Sequence, residues 1–243
     1  MRELNLTFIG SGNAFAPGGL CWNGFVVNRK YLFEAPPQAL MSLHQVGIDP
    51  NTIEAVILSH HHGDHFLGMP SLLLHWKYEG RTAPLKIVGP PDTQKLTELI
   101  GETVYPGLMD VTFDIEWVTA RPGSCLKIGD MVLEPVEAIH DERLVMSLGF
   151  HCYVNGRKLG YTGDTRMCDG VMDLARQSEV LVSECASKDS NIPVHMNLVD
   201  DIPIVRKAMP ADSQLVLTHI TPDVTADHLP NSRIAIDYES YSF

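Results

Sequence analysis

The stretch Ser59-His-His-His-Gly-Asp-His65 constrains this chain more than any other. It packs His60, His62, Asp64 and His65, four residues of metal-ligand type, into six positions. Directly before it runs Glu54-Ala-Val-Ile-Leu-Ser59, which reads as a buried strand. A strand ending in such a loop delivers several nitrogens and a carboxylate to one point. Surface loops also carry His and Asp, but four such residues directly after a buried strand favour a metal site over a solvated loop. The grouping suits two ions held close together, and so metal-assisted hydrolysis. His61 lies inside the run, yet its side chain should point away from its neighbours.

The chain has 243 residues, enough for one large domain with a substantial core, and we read 1–243 as a single domain. A hydrophobic content of 44% indicates a globular protein. No apolar run approaches the roughly 18 residues that would span a membrane. The opening residues 1–9 are too polar for a signal peptide and lead straight into a strand pattern. The cysteines Cys21, Cys125, Cys152, Cys168 and Cys185 are dispersed and form no C-x-x-C, which reads as free thiols in a reducing cytoplasm. The formal net charge of −12, with no block of Lys or Arg, disfavours long nucleic acid as a partner and favours a small or short substrate.

Apolar runs alternate with turn signals along the whole chain. Leu4 to Ile9 reads as a strand, followed by a glycine-rich loop through Gly19. Residues 25–27 and 31–33 pattern as a hairpin turning at Asn28-Arg-Lys30. Helical spacing predicts helices over 37–46, 66–78, 91–100, 168–176 and 197–208, with Pro91 in the first turn of its helix and Pro203 a candidate kink. Residues 111–118, 125–128, 131–138, 145–154 and 157–161 form a strand-rich stretch, and 180–183, 215–218 and 234–236 complete the strands. The pattern fits an α/β architecture, a four-layer αββα sandwich with helices outside two central sheets.

The first cluster cannot complete two metal sites, so further ligands must come from elsewhere. Three later positions share its context, an apolar strand running into a ligand-type residue: His140 after Val136-Glu-Ala-Ile, Asp164 after Leu159-Gly-Tyr-Thr-Gly, and His219 after Leu215-Val-Leu-Thr. Singly, each could be a hydrogen-bonded residue at a strand end; beside the cluster, the metal reading wins. Gly163 would let the backbone come close to a bound ion. His44, His75, His151 and His228 lack that context and read as structural or surface residues.

These motifs resemble the metallo-β-lactamase-fold hydrolases, and within them the ribonuclease Z-like phosphodiesterase branch. The resemblance spans nearly the whole chain: Thr7-Phe-Ile-Gly-Ser-Gly-Asn-Ala14, Ser59 to His65, Gly89-Pro90, Tyr161-Thr-Gly-Asp-Thr165, Leu217-Thr-His-Ile220 and Ile234-Ala-Ile-Asp237 all have counterparts. It implies one ion on His60, His62 and His140, a second on Asp64, His65 and His219, and Asp164 bridging them. Zinc is the default metal, and a mixed imidazole–carboxylate site also accepts manganese or iron. The resemblance further implies catalytic roles for Asp64, which steers the attacking hydroxide, and for His195, held by Glu184. Asn197 stands where the branch carries Ser or Thr, and is able to cap the following helix. A homodimer fits the branch.

The chain also departs from the branch. Ribonuclease Z proper inserts a long arm that grips transfer RNA between the counterparts of His140 and Asp164. Here 23 residues (141–163) separate them and read as two strands joined at Asn155-Gly156. The usual Asp-Cys-Gly-rich turn is here Phe33-Glu-Ala-Pro-Pro-Gln38, with Glu34 standing in for the acidic residue. The expectation is therefore a dinuclear hydrolase of small or short phosphodiesters: a cyclic nucleotide, a cyclic phosphate or an RNA end. The alternative is hydrolysis of a lactone, thioester or sulfate ester on the same site. Transfer-RNA 3′ cleavage and non-hydrolytic di-iron chemistry rank below both.

Overall fold

A computed structural model of the chain describes residues 3–243; residues 1 and 2, part of the expected domain and of the opening segment, lie outside the described residues. The first half runs β1 (Asn5–Gly10), β2 (Gly24–Val27), β3 (Tyr31–Phe33), α1 (Ala39–Gln45), β4 (Ala55–Ile57), α2 (Gly63–Phe66), α3 (Met69–Tyr78), β5 (Leu85–Gly89), α4 (Thr93–Val104) and β6 (Ile115–Thr119). The second runs β7 (Leu126–Ile128), β8 (Met131–Ala138), β9 (Ser147–Val154), β10 (Arg157–Tyr161), α5 (Asp169–Gln177), β11 (Val180–Glu184), α6 (Ile202–Ala208), β12 (Gln214–Thr218), β13 (Ser232–Ile234) and β14 (Ser240–Ser242).

The strands form two seven-stranded sheets, ordered β14-β1-β2-β3-β4-β5-β6 and β13-β12-β11-β10-β9-β8-β7. Three apolar clusters mark the layers. Phe8, Phe25, Phe33, Phe150, Tyr161 and Val216 fill the space between the sheets. Leu43, Leu72 and Trp76 pack α1 and α3 on the first sheet, and Val171, Leu174 and Val205 pack α5 and α6 on the second. This is the expected αββα sandwich. Among the described residues, no helix is long and apolar enough to cross a membrane.

Turn chemistry explains the two short hairpins. Asn28 (φ 50°) and Arg29 (φ 60°) join β2 to β3, and Asn155 (φ 56°) and Gly156 (φ 78°) join β9 to β10. Two successive positive φ values match the right-handed twist of the flanking strands. The span between His140 and Asp164 is thus β9, a tight turn and β10, as the spacing predicts. Pro135 lies in β8 beyond the register paired with β7, so no ladder bond is lost on that side.

Several boundaries differ from expectation. The predicted helix over 66–78 is two helices, because Gly68 must meet the segment before α1: its N–H donates to Ala35 O at 2.8 Å, and a Cβ there would stand 2.1 Å from Pro36 O. Pro91 lies outside α4, which starts after Asp92 (φ 71°) and runs one turn further than predicted. The helix expected from Asn197 starts only at Ile202, so Pro203 occupies its first turn and kinks nothing. Asn197 Oδ1 instead accepts from Asp200 N–H at 2.7 Å, closing a turn before the helix rather than capping it. The strand predicted over 234–236 is β13, shifted to 232–234, and the polar edge strand β14 escaped the apolar pattern altogether.

Strands β3, β4, β5 and β6 run parallel, as do β10, β11, β12 and β13. Parallel strands aim all their carboxyl ends at one edge, where a ligand crevice forms in open sheets of this kind.

Candidate metal centre

The carboxyl end of β4 passes through Leu58 and Ser59 into His60. Ser59 N–H donates to both Glu34 carboxylate oxygens at 3.3 Å, and Ser59 Oγ contacts His60 Nδ1 at 2.9 Å. His62 stands at the start of α2, whose single turn carries Asp64 and His65. His61 turns outward, its Nε2 on Thr93 Oγ1 at 2.8 Å, as expected.

The second sheet contributes one residue per strand end. His140 follows β8, Asp164 follows β10, Glu184 closes β11 and His219 follows β12. All seven expected ligands converge. The ligand atoms of His60, His62 and His140 lie within 4.8 Å of one another, as do those of Asp64, His65, Asp164 and His219. Asp164 Oδ2 stands 3.2 Å from both His65 Nε2 and His219 Nε2, 3.9 Å from His60 Nε2 and 4.0 Å from His140 Nε2. One carboxylate oxygen therefore faces rings of both groups. The same ranges admit His195, grouped with His140 and Asp164 and, separately, with Glu184 and His219.

The donor set fits cations. His60 Nε2, His65 Nε2 and Asp164 Oδ1 are buried and lack hydrogen-bond partners. Buried polar atoms normally find partners, and leaving them unpaired is costly. His140 Nδ1 donates to Val194 O at 3.0 Å, so its neutral ring presents a lone pair at Nε2. That nitrogen meets His62 Nδ1 at 3.0 Å. Two imidazole ligands on a tetrahedral zinc would place their nitrogens roughly 3.3 Å apart. Imidazoles mixed with carboxylates suit zinc, manganese or iron.

Two carboxylates stand behind these rings at ion-pair distance. His62 Nε2 lies 3.4 Å from Asp141 Oδ2, and His65 Nδ1 lies 3.7 Å from Glu34 Oε2. Carboxylates behind metal-binding imidazoles fix ring orientation and raise ligand basicity. Glu34 is fully buried, takes a hydrogen bond from Tyr161 Oη at 3.0 Å, and sits at φ 64°. His219 also has a left-handed backbone, at φ 54°. Strain of this kind persists where the surroundings over-determine a residue, and it gathers at functional sites. Gly163 has a different reason from the expected one: its φ is 58° and a Cβ would stand 2.4 Å from Leu148 O, so packing against β9 demands the glycine.

His195 Nδ1 pairs with Glu184 Oε1 at 2.9 Å. The same carboxylate accepts from the backbone N–H of Thr165 at 2.7 Å and of Ala186 at 3.2 Å, which locks it in place. The His195 ring packs 4.7 Å from that of His140 and 5.2 Å from that of His219. Burial works against a charged His195, but the Glu184 carboxylate lifts its imidazole to about 9. Burial also opposes charge on Asp164, yet the His219 and His65 rings hold its carboxyl well below the usual carboxylate range. Burial drives the His60 ring the other way, well below the usual imidazole value, with His65 repelling it further, whereas, against its own burial, the His65 ring is lifted well above that value by the Asp164 and Asp64 carboxylates. A neutral imidazole beside an ionised carboxylate is the protonation state that binds a cation.

A cavity of about 620 Å³ opens over the cluster. His195, Asp64 and His219 line it, as do Phe15, Arg143 and Ile192. The sequence marks the loop that carries Phe15 by its glycines but not Phe15 itself, because a lone aromatic there shows no periodicity. Of the remaining histidines, His151 forms a 3.0 Å pair with Asp173 and belongs to none of the ligand groups.

Comparison with known proteins agrees with this architecture. The chain is 23% identical to a ribonuclease Z of Methanosarcina acetivorans, over 93% of this chain and 90% of the relative. Its fold superposes on the metallo-β-lactamase fold protein YhfI from Bacillus subtilis with a TM-score of 0.82, at 20% identity and full coverage of both chains. The human short-form tRNase Z gives a TM-score of 0.79 at 20% identity, with 98% of each chain covered. With that fold and these relatives, the chain is a ribonuclease Z-like, metal-dependent hydrolase, and it belongs to the family described as Anti-Pycsar protein Apyc1, whose model matches residues 4–229.

Proposed function

We propose that this protein is a dinuclear phosphodiesterase that acts, as one domain over 1–243 and in the cytoplasm, on a small or short phosphodiester: a cyclic nucleotide, a cyclic phosphate or an RNA end. The observation that carries this reading is the His195–Glu184 pair set against the seven-residue cluster at the base of a cavity of about 620 Å³. A metal cluster by itself would serve many esters. A positioned imidazole acid is what the departing alkoxide of a phosphodiester requires. Cavities of about 300–1,000 Å³ hold small ligands. The short β9–β10 hairpin between His140 and Asp164 leaves no arm for a folded RNA, and the net charge of −12 supports the same conclusion.

In this reading His60, His62 and His140 would hold one ion and Asp64, His65 and His219 the second, with Asp164 within reach of both groups and zinc the expected metal. Bound divalent cations supply an acidified water and neutralise charge on the phosphoryl group. The chain's own residues do the rest. Asp64, which lines the cavity, orients the attacking water by accepting its hydrogen bond. Glu184 keeps a proton on His195 Nδ1 and fixes the ring, leaving Nε2 for substrate. A protonated His195 stabilises charge as it builds on the phosphoryl oxygens and passes its Nε2 proton to the departing oxygen. The family resemblance extends the proposal to a homodimer.

The test is metal analysis of the purified protein coupled to a substrate panel: 3′,5′- and 2′,3′-cyclic nucleotides, bis-p-nitrophenyl phosphate, a phosphomonoester, a thioester, a lactone and an arylsulfate. Metal-dependent turnover of the diesters is expected. Turnover confined to the carbonyl or sulfate esters would sink the phosphodiesterase reading.

A further inference from the structure

A chain of polar side chains, Thr218, Asn23, Tyr161 and Glu34, crosses the apolar layer between the sheets, each of them at most 1% exposed. Thr218 ends β12 directly before His219, and its Oγ1 donates to Asn23 Oδ1 at 2.7 Å. Asn23 lies directly before β2, and its Nδ2 donates to Tyr161 Oη at 3.0 Å. Tyr161 ends β10, and its Oη donates to Glu34 Oε1 at 3.0 Å. Glu34 follows β3, and its Oε2 stands 3.7 Å from His65 Nδ1. Strands β2 and β3 belong to the first sheet, β10 and β12 to the second, so each bond passes from one sheet to the other. Every donor points toward the carboxylate, and buried bonds aligned in this way polarise one another. The Tyr161 ring meets Phe25 and Phe33 edge-on, at 5.1 Å and 5.9 Å. Apolar packing thus places the ring, and the hydroxyl makes the link.

Apolar residues alone hold two sheets together, and buried polar groups are costly unless each is paired. What sets this chain apart is where it ends. One end is the carboxylate behind His65, on the first sheet's loop; the other is the residue before His219, on the second sheet. The Nε2 atoms of both rings stand 3.2 Å from the same oxygen, Asp164 Oδ2. Both ends also carry left-handed backbone, φ 64° at Glu34 and φ 54° at His219, which persists only where the surroundings impose it. We infer that Tyr161 is a positioning residue for the second ion: with Asn23 and Thr218 it ties the carboxylate behind His65 to the strand that delivers His219, and so keeps two imidazoles from opposite sheets at the spacing one ion requires. This inference rests on the two-ion reading and names the buried hydroxyl on which one of those sites depends. Tyr161 itself touches neither ion nor substrate.

The experiment titrates the metal-stripped full chain with cobalt(II), whose visible absorption reports its ligand geometry. Tyr161→Phe keeps the ring and removes the hydroxyl, and Thr218→Val cuts the far end of the chain. Tyr31→Phe is the control: it removes a buried tyrosine hydroxyl from the same layer, one bonded to Asp130 and to no member of this chain. In a His140→Ala background, which keeps Asp64, His65, Asp164 and His219 whole, Tyr161→Phe should raise the cobalt Kd by about 10–100-fold, the usual cost of altering a partner behind a ligand, and change the absorption. In a His219→Ala background, which breaks that group, Tyr161→Phe should change nothing. Thr218→Val should weaken cobalt binding in the same way, and the two changes together should cost less than the product of each, because they cut one chain. Unchanged cobalt affinity in both Tyr161→Phe and Thr218→Val overturns the inference, as does an equal loss in Tyr31→Phe. An equal loss in the His219→Ala background also overturns it, since the hydroxyl then serves the fold as a whole. Each of these leaves the two-ion reading intact, whereas a wild type that takes up no cobalt removes both.

Discussion

The first sheet brings His60, His62, Asp64 and His65 to the centre on one loop, whereas the second brings His140, Asp164, Glu184 and His219 from four separate strand ends. The loop residues share one backbone, so local chain geometry sets their mutual placement. The strand-end residues owe theirs to the register of β8, β10, β11 and β12, held by the ladder bonds and the apolar layers on each face of that sheet. A contiguous motif is therefore robust to changes elsewhere and readable in sequence. A distributed set depends on the whole fold, and each of its members acts nearly alone.

The sharpest way to break this contrast is Asp164→Asn, which removes the one carboxylate facing rings from both groups while keeping its size. Both metal content and turnover should fall to background. Retention of two metals per chain in elemental analysis would show that the loop holds its ions without the second sheet. His195→Ala comes next. Loss of a positioned acid typically costs about 10²–10⁴-fold, so kcat should fall by that much while metal content holds. Parallel loss of metal would instead make His195 a ligand, which its distance to His140 and Asp164 allows.

Smaller effects follow from the supporting residues. Glu34→Gln keeps the hydrogen bond to Tyr161 but drops the charge behind His65. Metal affinity should fall by about 10–100-fold in a chelator competition, the usual cost of altering such a partner. An unchanged affinity would reduce Glu34 to a packing role. Gly68→Ala should have the least effect on chemistry. Its Cβ clashes with Pro36 O, so a destabilisation of about 1–3 kcal/mol is expected from the shift in denaturation midpoint. Normal stability in that variant would mean that the joint between α2 and α3 yields easily and does not brace the loop.

Much of the site was legible because its chemistry is written in residue types that are rarely neutral bystanders. Three imidazoles and a carboxylate in six positions after an apolar run announce a metal loop. His140, Asp164 and His219 were legible by context, since each ends an apolar strand. The Glu184–His195 pairing came from family resemblance, as nothing in the local pattern joins residues 11 positions apart. In the sequence Glu34 is only an acidic residue in an altered turn; its burial behind His65 and under Tyr161 leaves no local signal. That placement depends on strands β3, β4 and β10 meeting across two sheets. The break at Gly68 was hidden because Leu72, Leu73 and Trp76 keep helical spacing on the far side of it. β14 was hidden because Ser-Tyr-Ser at a sheet edge has too little apolar surface to register.

The sequence by itself determined the layered α/β architecture, the two tight hairpins and the identity of the groups able to hold metal. These follow from hydrophobic periodicity, turn residues and side-chain chemistry, all local properties. Only the tertiary structure decided that Asp164 stands between two groups of imidazoles, that Glu34 and Asp141 sit behind His65 and His62, and that Phe15 is held out over the centre. Those placements come from strand register and loop anchoring between residues distant in the chain, where a shift of about one Ångström separates a ligand from a bystander.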